Sequence, residues 1–104
     1  MATTSKVLFR GAASTSSTTL YTVPTTSTTT VVTNVLVANT AAAAASFDLS
    51  IDGVQIANDV AVAANDTLSI DLKQVIPANA TPKTITGLAS ATTVNFHISG
   101  VEIV

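Results

Sequence analysis

The stretch SFDLSIDGVQIA, residues 46–57, constrains the fold of this chain more than any other. Phe47, Leu49 and Ile51 fall on one side of an extended backbone, and Ser46, Asp48, Ser50 and Asp52 on the other. A period of two marks a strand with one face in a core and the other in solvent. Asp52-Gly53 follows at once, a pair that tolerates the two positive φ angles of a type I′ turn. Val54 and Ile56 then resume the alternation around Gln55, so the segment predicts a β-hairpin.

The same reading extends in both directions. Val60 and Val62 alternate with alanine, Ala64-Asn65-Asp66 supplies a turn, and Leu68, Ile70 and Leu72 alternate with Ser69, Asp71 and Lys73. Pro77 and Pro82 bracket a loop, after which KTITGL predicts a short strand. Upstream, KVLFRG predicts a first strand, GAASTSSTT a loop of small residues, and LYTV a short strand ended by Pro24, with a turn over residues 24–27. TTTVVTNVLVAN predicts a long strand with Val31, Thr33, Val35 and Val37 on one side and Val32, Asn34, Leu36 and Ala38 on the other. Both sides are apolar enough for a central strand, or for one that also meets a neighbouring subunit. In TVNFHISGVEIV, Val94, Phe96 and Ile98 share a face, but Val101 and Ile103 change parity, which predicts a β-bulge at Ser99-Gly100. The five alanines at 41–45 are too few to nucleate a helix and read as a strand lead-in or a tight crossover. The pattern predicts an all-β chain of about eight strands. The expected fold is a single small antiparallel β-sandwich over residues 1–104, jelly-roll or immunoglobulin-like, with 1–5 as a flexible N-terminal arm.

The threonines of LYTVPTTSTTTVVTNVLVANT, eight within residues 20–40, need their own explanation. An ice-binding face would repeat Thr-x-Thr at a fixed period, and a carbohydrate platform would carry more rings than Tyr21. From Val31 onward the apolar residues are too dense for a linker. β-Branched side chains suit a pleated strand, and threonine keeps such a strand uncharged.

Charge excludes several functions. Only 10% of residues are charged, and the four basic ones, Lys6, Arg10, Lys73 and Lys83, cannot neutralise a row of phosphates, so no nucleic-acid partner is expected. No cysteine is present, six acidic residues are scattered, and the single histidine, His97, has no nucleophile or carboxylate placed beside it. No metal, cofactor or catalytic residue is therefore expected, and the chain reads as a non-enzyme. The beginning of the sequence has no apolar run of signal-peptide length and no window approaches a membrane span, so the expectation is a protein folded in the cytoplasm with no membrane partner. A surface with so few charges suits a protein whose faces are covered in an assembly.

In the order of its motifs the chain resembles small virion proteins of tailed bacteriophages. The resemblance rests on LYTVP, the Thr/Val strand ending in VAN, the DG hairpin, the turn ANDTL and the closing VNFHISGVEIV, and it covers most of residues 18–104. Proteins of this kind are head decoration (cement) proteins or minor tail and fibre-associated proteins. The resemblance implies a β-sandwich subunit, often a trimer, made in the host cytoplasm and bound to the virion. Its partner would be the major capsid protein, or a host surface for a tail-tip module. On that reading the interface residues are the arm Ala2, Thr3, Thr4, Ser5 and Lys6, the strand residues Val31, Thr33, Val35 and Val37, and His97.

Overall fold

The computed structural model describes residues 2–25 and 28–104. Eight strands follow one another: β1 (Thr3–Ala12), β2 (Thr18–Thr22), β3 (Thr29–Asn39), β4 (Ala45–Ile51), β5 (Val54–Val62), β6 (Thr67–Ile76), β7 (Thr84–Ala89) and β8 (Val94–Ile103). They form two antiparallel four-stranded sheets, in the orders β1-β8-β3-β6 and β2-β7-β4-β5. β1 pairs with β8, β2 with β7, β3 with β6 and β4 with β5, as in one long ribbon folded at its tip and rolled up. That nesting is the jelly roll, which decides between the two sandwich types expected from the sequence. The turn over 24–27 cannot be placed, because Thr26 and Ser27 lie outside the described residues.

The hairpin turn is as expected: Asp52 and Gly53 have φ of 54° and 75°, and the alanine run crosses from one sheet to the other before β4 starts at Ala45. Phe47 of β4 and Phe96 of β8 meet edge-on across the sandwich, with ring centroids 5.9 Å apart at 71°. Around them Leu49, Ile85, Ile98, Val32, Val35 and Val37 are fully buried. Each such side chain contributes about 1.5–3 kcal/mol on burial, so the sandwich interior is the main source of stability.

Three local expectations are corrected. In β3 the inward residues are Thr30 and Val32, then Val35, Val37 and Asn39. The register slips between Val32 and Asn34, so Thr33 is the extra residue and the strand changes face there. Val35 and Val37 therefore belong to the core and not to an interface. Second, β8 carries no extra residue at Ser99-Gly100: the insertions opposite it are Leu8 in β1 and Thr33 in β3. Gly100 and Glu102 continue the inward row, while Val101 and Ile103 face outward. Third, Thr3, Thr4 and Ser5, expected within a free arm, pair with Ile103, Glu102 and Val101, and Ala2 exchanges backbone hydrogen bonds with Val104.

Candidate functional site

The outward face of the β1-β8-β3-β6 sheet combines period-two geometry with an unusual choice of side chains. Register places Ser5, Val101, Val31 and Val75 in one row across all four strands, with Val7 and Ile103 in the flanking rows. Val7 and Val75 are 47% and 59% exposed, and no charged side chain interrupts the row. A solvated sheet face would alternate apolar-in with polar-out. Here the outward row is apolar instead, and an exposed contiguous apolar strip marks a docking surface.

Of the interface residues expected from the sequence, Thr3, Ser5, Val31 and Thr33 fall on or beside this face. His97 lies on the same face farther along, half-buried between its register partners Arg10 and Leu36. Val7, Val75, Val101 and Ile103 were not anticipated. For Val101 and Ile103 the signal was the parity change after Gly100: both face outward, and no extra residue in β8 returns them to the core.

Over β8 this face holds a shallow depression of about 370 Å³, lined by Ser5, Val7, Thr33, Ser99 and Val101 and bordered by Lys6. Its walls are the two flanking strands at their extra residues, Leu8 and Thr33, and the Thr33 hydroxyl donates to the Ser99 carbonyl at 3.3 Å. All four sheet-edge strands, β1, β2, β5 and β6, pair with their neighbours through a register shift. Such irregularities oppose strand addition at an edge, which leaves faces and loops as the surfaces able to dock.

One polar cluster lies beneath the depression. Glu102 points inward, where the Tyr21 hydroxyl of the other sheet donates to its carboxylate, and Thr30 Oγ1 shares a 3.3 Å hydrogen bond with that hydroxyl. Lys6 Nζ reaches both carboxylate oxygens at 3.3 Å and sits 5.8 Å from the Tyr21 ring centroid. The carboxylate thus ties together strands from both sheets. The Tyr21 hydrogen bond, helped by Lys6, lowers the Glu102 pKa against the opposing effect of burial, and burial with the nearby Glu102 raises that of Tyr21. A carboxyl with a depressed folded-state pKa contributes stability that is full above its unfolded pKa and is lost as pH falls through the folded value. Acid titration of the melting temperature is therefore expected to steepen below about pH 4.5, the ordinary glutamate value, and Glu102→Gln is expected to flatten that limb. An unchanged acid limb in the variant would remove Glu102 from this role.

At the opposite end of the sandwich, Asn39 is 2% exposed and organises the crossovers. Its amide donates to the carbonyls of Ala43, Val62 and Ala63 at 2.8, 3.3 and 3.3 Å. Its oxygen accepts from the Ala41 N–H at 3.1 Å and the Thr93 hydroxyl at 3.3 Å. Among the described residues, no group of three or more His, Asp or Glu side chains converges where a cation could be held.

No family model and no curated protein matches the chain. Among solved structures, it is similar to the T13 viral particle of infectious bursal disease virus (TM-score 0.54, 14% identity) and to the VP2 subviral particle of that virus (TM-score 0.53, 16% identity). A structure of the Gx strain of infectious bursal disease virus matches at TM-score 0.53 and 15% identity. Each similarity covers 97% of this chain but only 30–31% of the other, so the chain spans about a third of the length of the proteins it matches. At such identities the likeness is one of fold: this chain has a β-sandwich similar to one found within chains of those viral and subviral particles.

Proposed function

We propose that the chain is a non-enzymatic virion structural protein, a decoration subunit that trimerises on the outside of a tailed-phage capsid and stabilises the lattice of the major capsid protein. The observation that carries this reading is the outward valine row Val31–Val75–Val101 on a jelly roll whose edges are all irregular. Covering that row against a flat protein surface removes apolar area from water at about 25 cal/mol per Å², and needs no chemistry. The low charge of the chain keeps the desolvation cost of such a contact small. The fold likeness to chains of viral and subviral particles supports the same assignment.

The test adds purified chain to capsids of the virus that encodes it and measures co-sedimentation. Saturable binding at micromolar concentration is expected, weakened at least tenfold by Val75→Glu, which places a charge in the row without entering the core. A wild-type chain that stays in the supernatant sinks the proposal. Copy number per particle, read by quantitative mass spectrometry, separates decoration (hundreds) from a tail-tip or fibre module that recognises a host surface (a few).

A further inference from the structure

We infer that the depression over β8 receives the β4–β5 hairpin tip of a second copy of this chain, in a head-to-tail contact. Among the described residues, the exposed large apolar side chains are Val7, Val54, Ile56, Val75 and Val104. Two of them, Val54 at 67% and Ile56 at 42% exposure, project from the tip of the β4–β5 hairpin. The sequence pattern assigns Val54 and Ile56 to a core face. The register instead skips Ile56, with Leu49 opposite Ala57 and Ser50 opposite Gln55, so Ile56 is turned out as the unpaired residue of a bulge. The tip is firm: Asp52 accepts an ion pair from Lys83 at 3.1 Å, and the turn residues hold their type I′ angles.

Tip and depression are both apolar and carry opposite charges. The first is an apolar knob flanked by Asp52, and the second is an apolar notch walled by Val7 and Val101 and bordered by Lys6. The side chains of Asp52 and Lys6 remain 52% and 46% exposed beside their own partners, so the two can approach across a contact. The tip cannot enter the depression of its own chain: the depression lies on the outward face of the β1-β8-β3-β6 sheet, and the tip belongs to the other sheet, where Ile51 of β4 pairs with Ile85 of β7. A surface that fits a different surface of the same molecule makes a heterologous contact, which closes into a ring or continues as a filament. The trimer proposed above is one such ring, and this inference names its contact. The Val31–Val75 half of the face is left free for the capsid.

The test uses the chain alone in sedimentation velocity from micromolar to millimolar concentration, so failure to bind capsids leaves the inference standing, and the reverse. Wild type is expected to self-associate. Val54→Glu and Val7→Glu should each raise the dissociation constant at least tenfold while leaving the circular dichroism and thermal midpoint unchanged, since both positions are exposed. Mixing the two variants is the decisive step. The intact tip of the Val7→Glu chain fits the intact notch of the Val54→Glu chain, so a one-to-one heterodimer forms and grows no further. A wild type that stays monomeric overturns the inference. So does a Val54→Glu chain that associates like wild type, the mark of a two-fold contact between sheet faces, or a mixture that remains monomeric.

Discussion

Replacing Asn39 with alanine is expected to lower stability by about 3 kcal/mol or more, seen as a fall of about 15 °C in the thermal midpoint. The side chain holds three carbonyls and two donors from three different segments, and it is 2% exposed. Alanine removes all of these hydrogen bonds at once and leaves the Ala43, Val62 and Ala63 carbonyls without the amide that they accept from. A buried polar group left unpaired costs about 1–3 kcal/mol, so two or three of them reach the expected sum. Asn39→Asp sharpens the point. It keeps the acceptor but turns a carboxylate toward three carbonyl oxygens, which raises its folded-state pKa above the unfolded value. The stability linked to this carboxyl is fully present below its unfolded pKa and is lost as pH rises through the folded one. It should therefore melt higher at pH 4 than at pH 7, the reverse of the trend expected from Glu102. An Asn39→Ala chain that melts within a few degrees of wild type would show that water or rearranged loops replace the amide.

Gly100→Ala is expected to cost about 3 kcal/mol, the upper end of the range for overpacking. Gly100 sits in the inward row of β8 opposite Lys6 and Val32, and a Cβ there collides with the Val31 carbonyl oxygen and lies 2.9 Å from Leu8 Cδ1. The Val31 obstacle is backbone of the neighbouring strand, so relief requires β3 and β8 to move apart and weaken their ladder. Gly53→Ala makes the matching control. Its φ of +75° strains any L side chain, but nothing lies within 4 Å, so the cost should stay near 1 kcal/mol. Chemical denaturation of the two variants side by side separates steric overlap from backbone preference. Equal losses would mean that the β3–β8 spacing yields more readily than its geometry implies.

The architecture was legible where alternation and turn chemistry agreed. Phe47, Leu49 and Ile51 lead into Asp52-Gly53 without interruption, and the strand, turn and hairpin all follow from that string. Legibility failed at extra residues. Thr33 carries no mark that distinguishes it from its neighbours, yet it reverses the facing of everything after it, so Val35 and Val37 were assigned to an interface when they form the core. Gly100 and Glu102 failed differently. An inward glycine leaves a gap in the apolar pattern, and an inward carboxylate contradicts it unless a hydroxyl from the other sheet is known to be waiting. Tyr21 lies 81 residues away in sequence, and local pattern carries no record of that meeting. The exposed valines were hidden for the complementary reason: an apolar residue on the outer face reads as a core residue until register is known. His97 was read on the outward face, where the structure has it, but the N-terminal residues were read as a free arm and instead pair with β8, with Thr4 and Lys6 opposite the inward Glu102 and Gly100.

The nested pairing of strands also sets the order in which the domain can be built. Thr3 lies opposite Ile103, so the first strand waits for almost the whole chain before it finds its partner. β8 sits between β1 and β3 and completes both, which makes it the keystone of its sheet. During synthesis, β1 and β3 therefore leave the ribosome with unsatisfied edges, and β3 pairs on one side only once β6 appears. Contacts of such long separation place this domain among the slower folders, in the range of milliseconds to seconds. The outward valines stay uncovered throughout that interval, and threonine at so many strand positions limits what they can stick to before the last strand arrives.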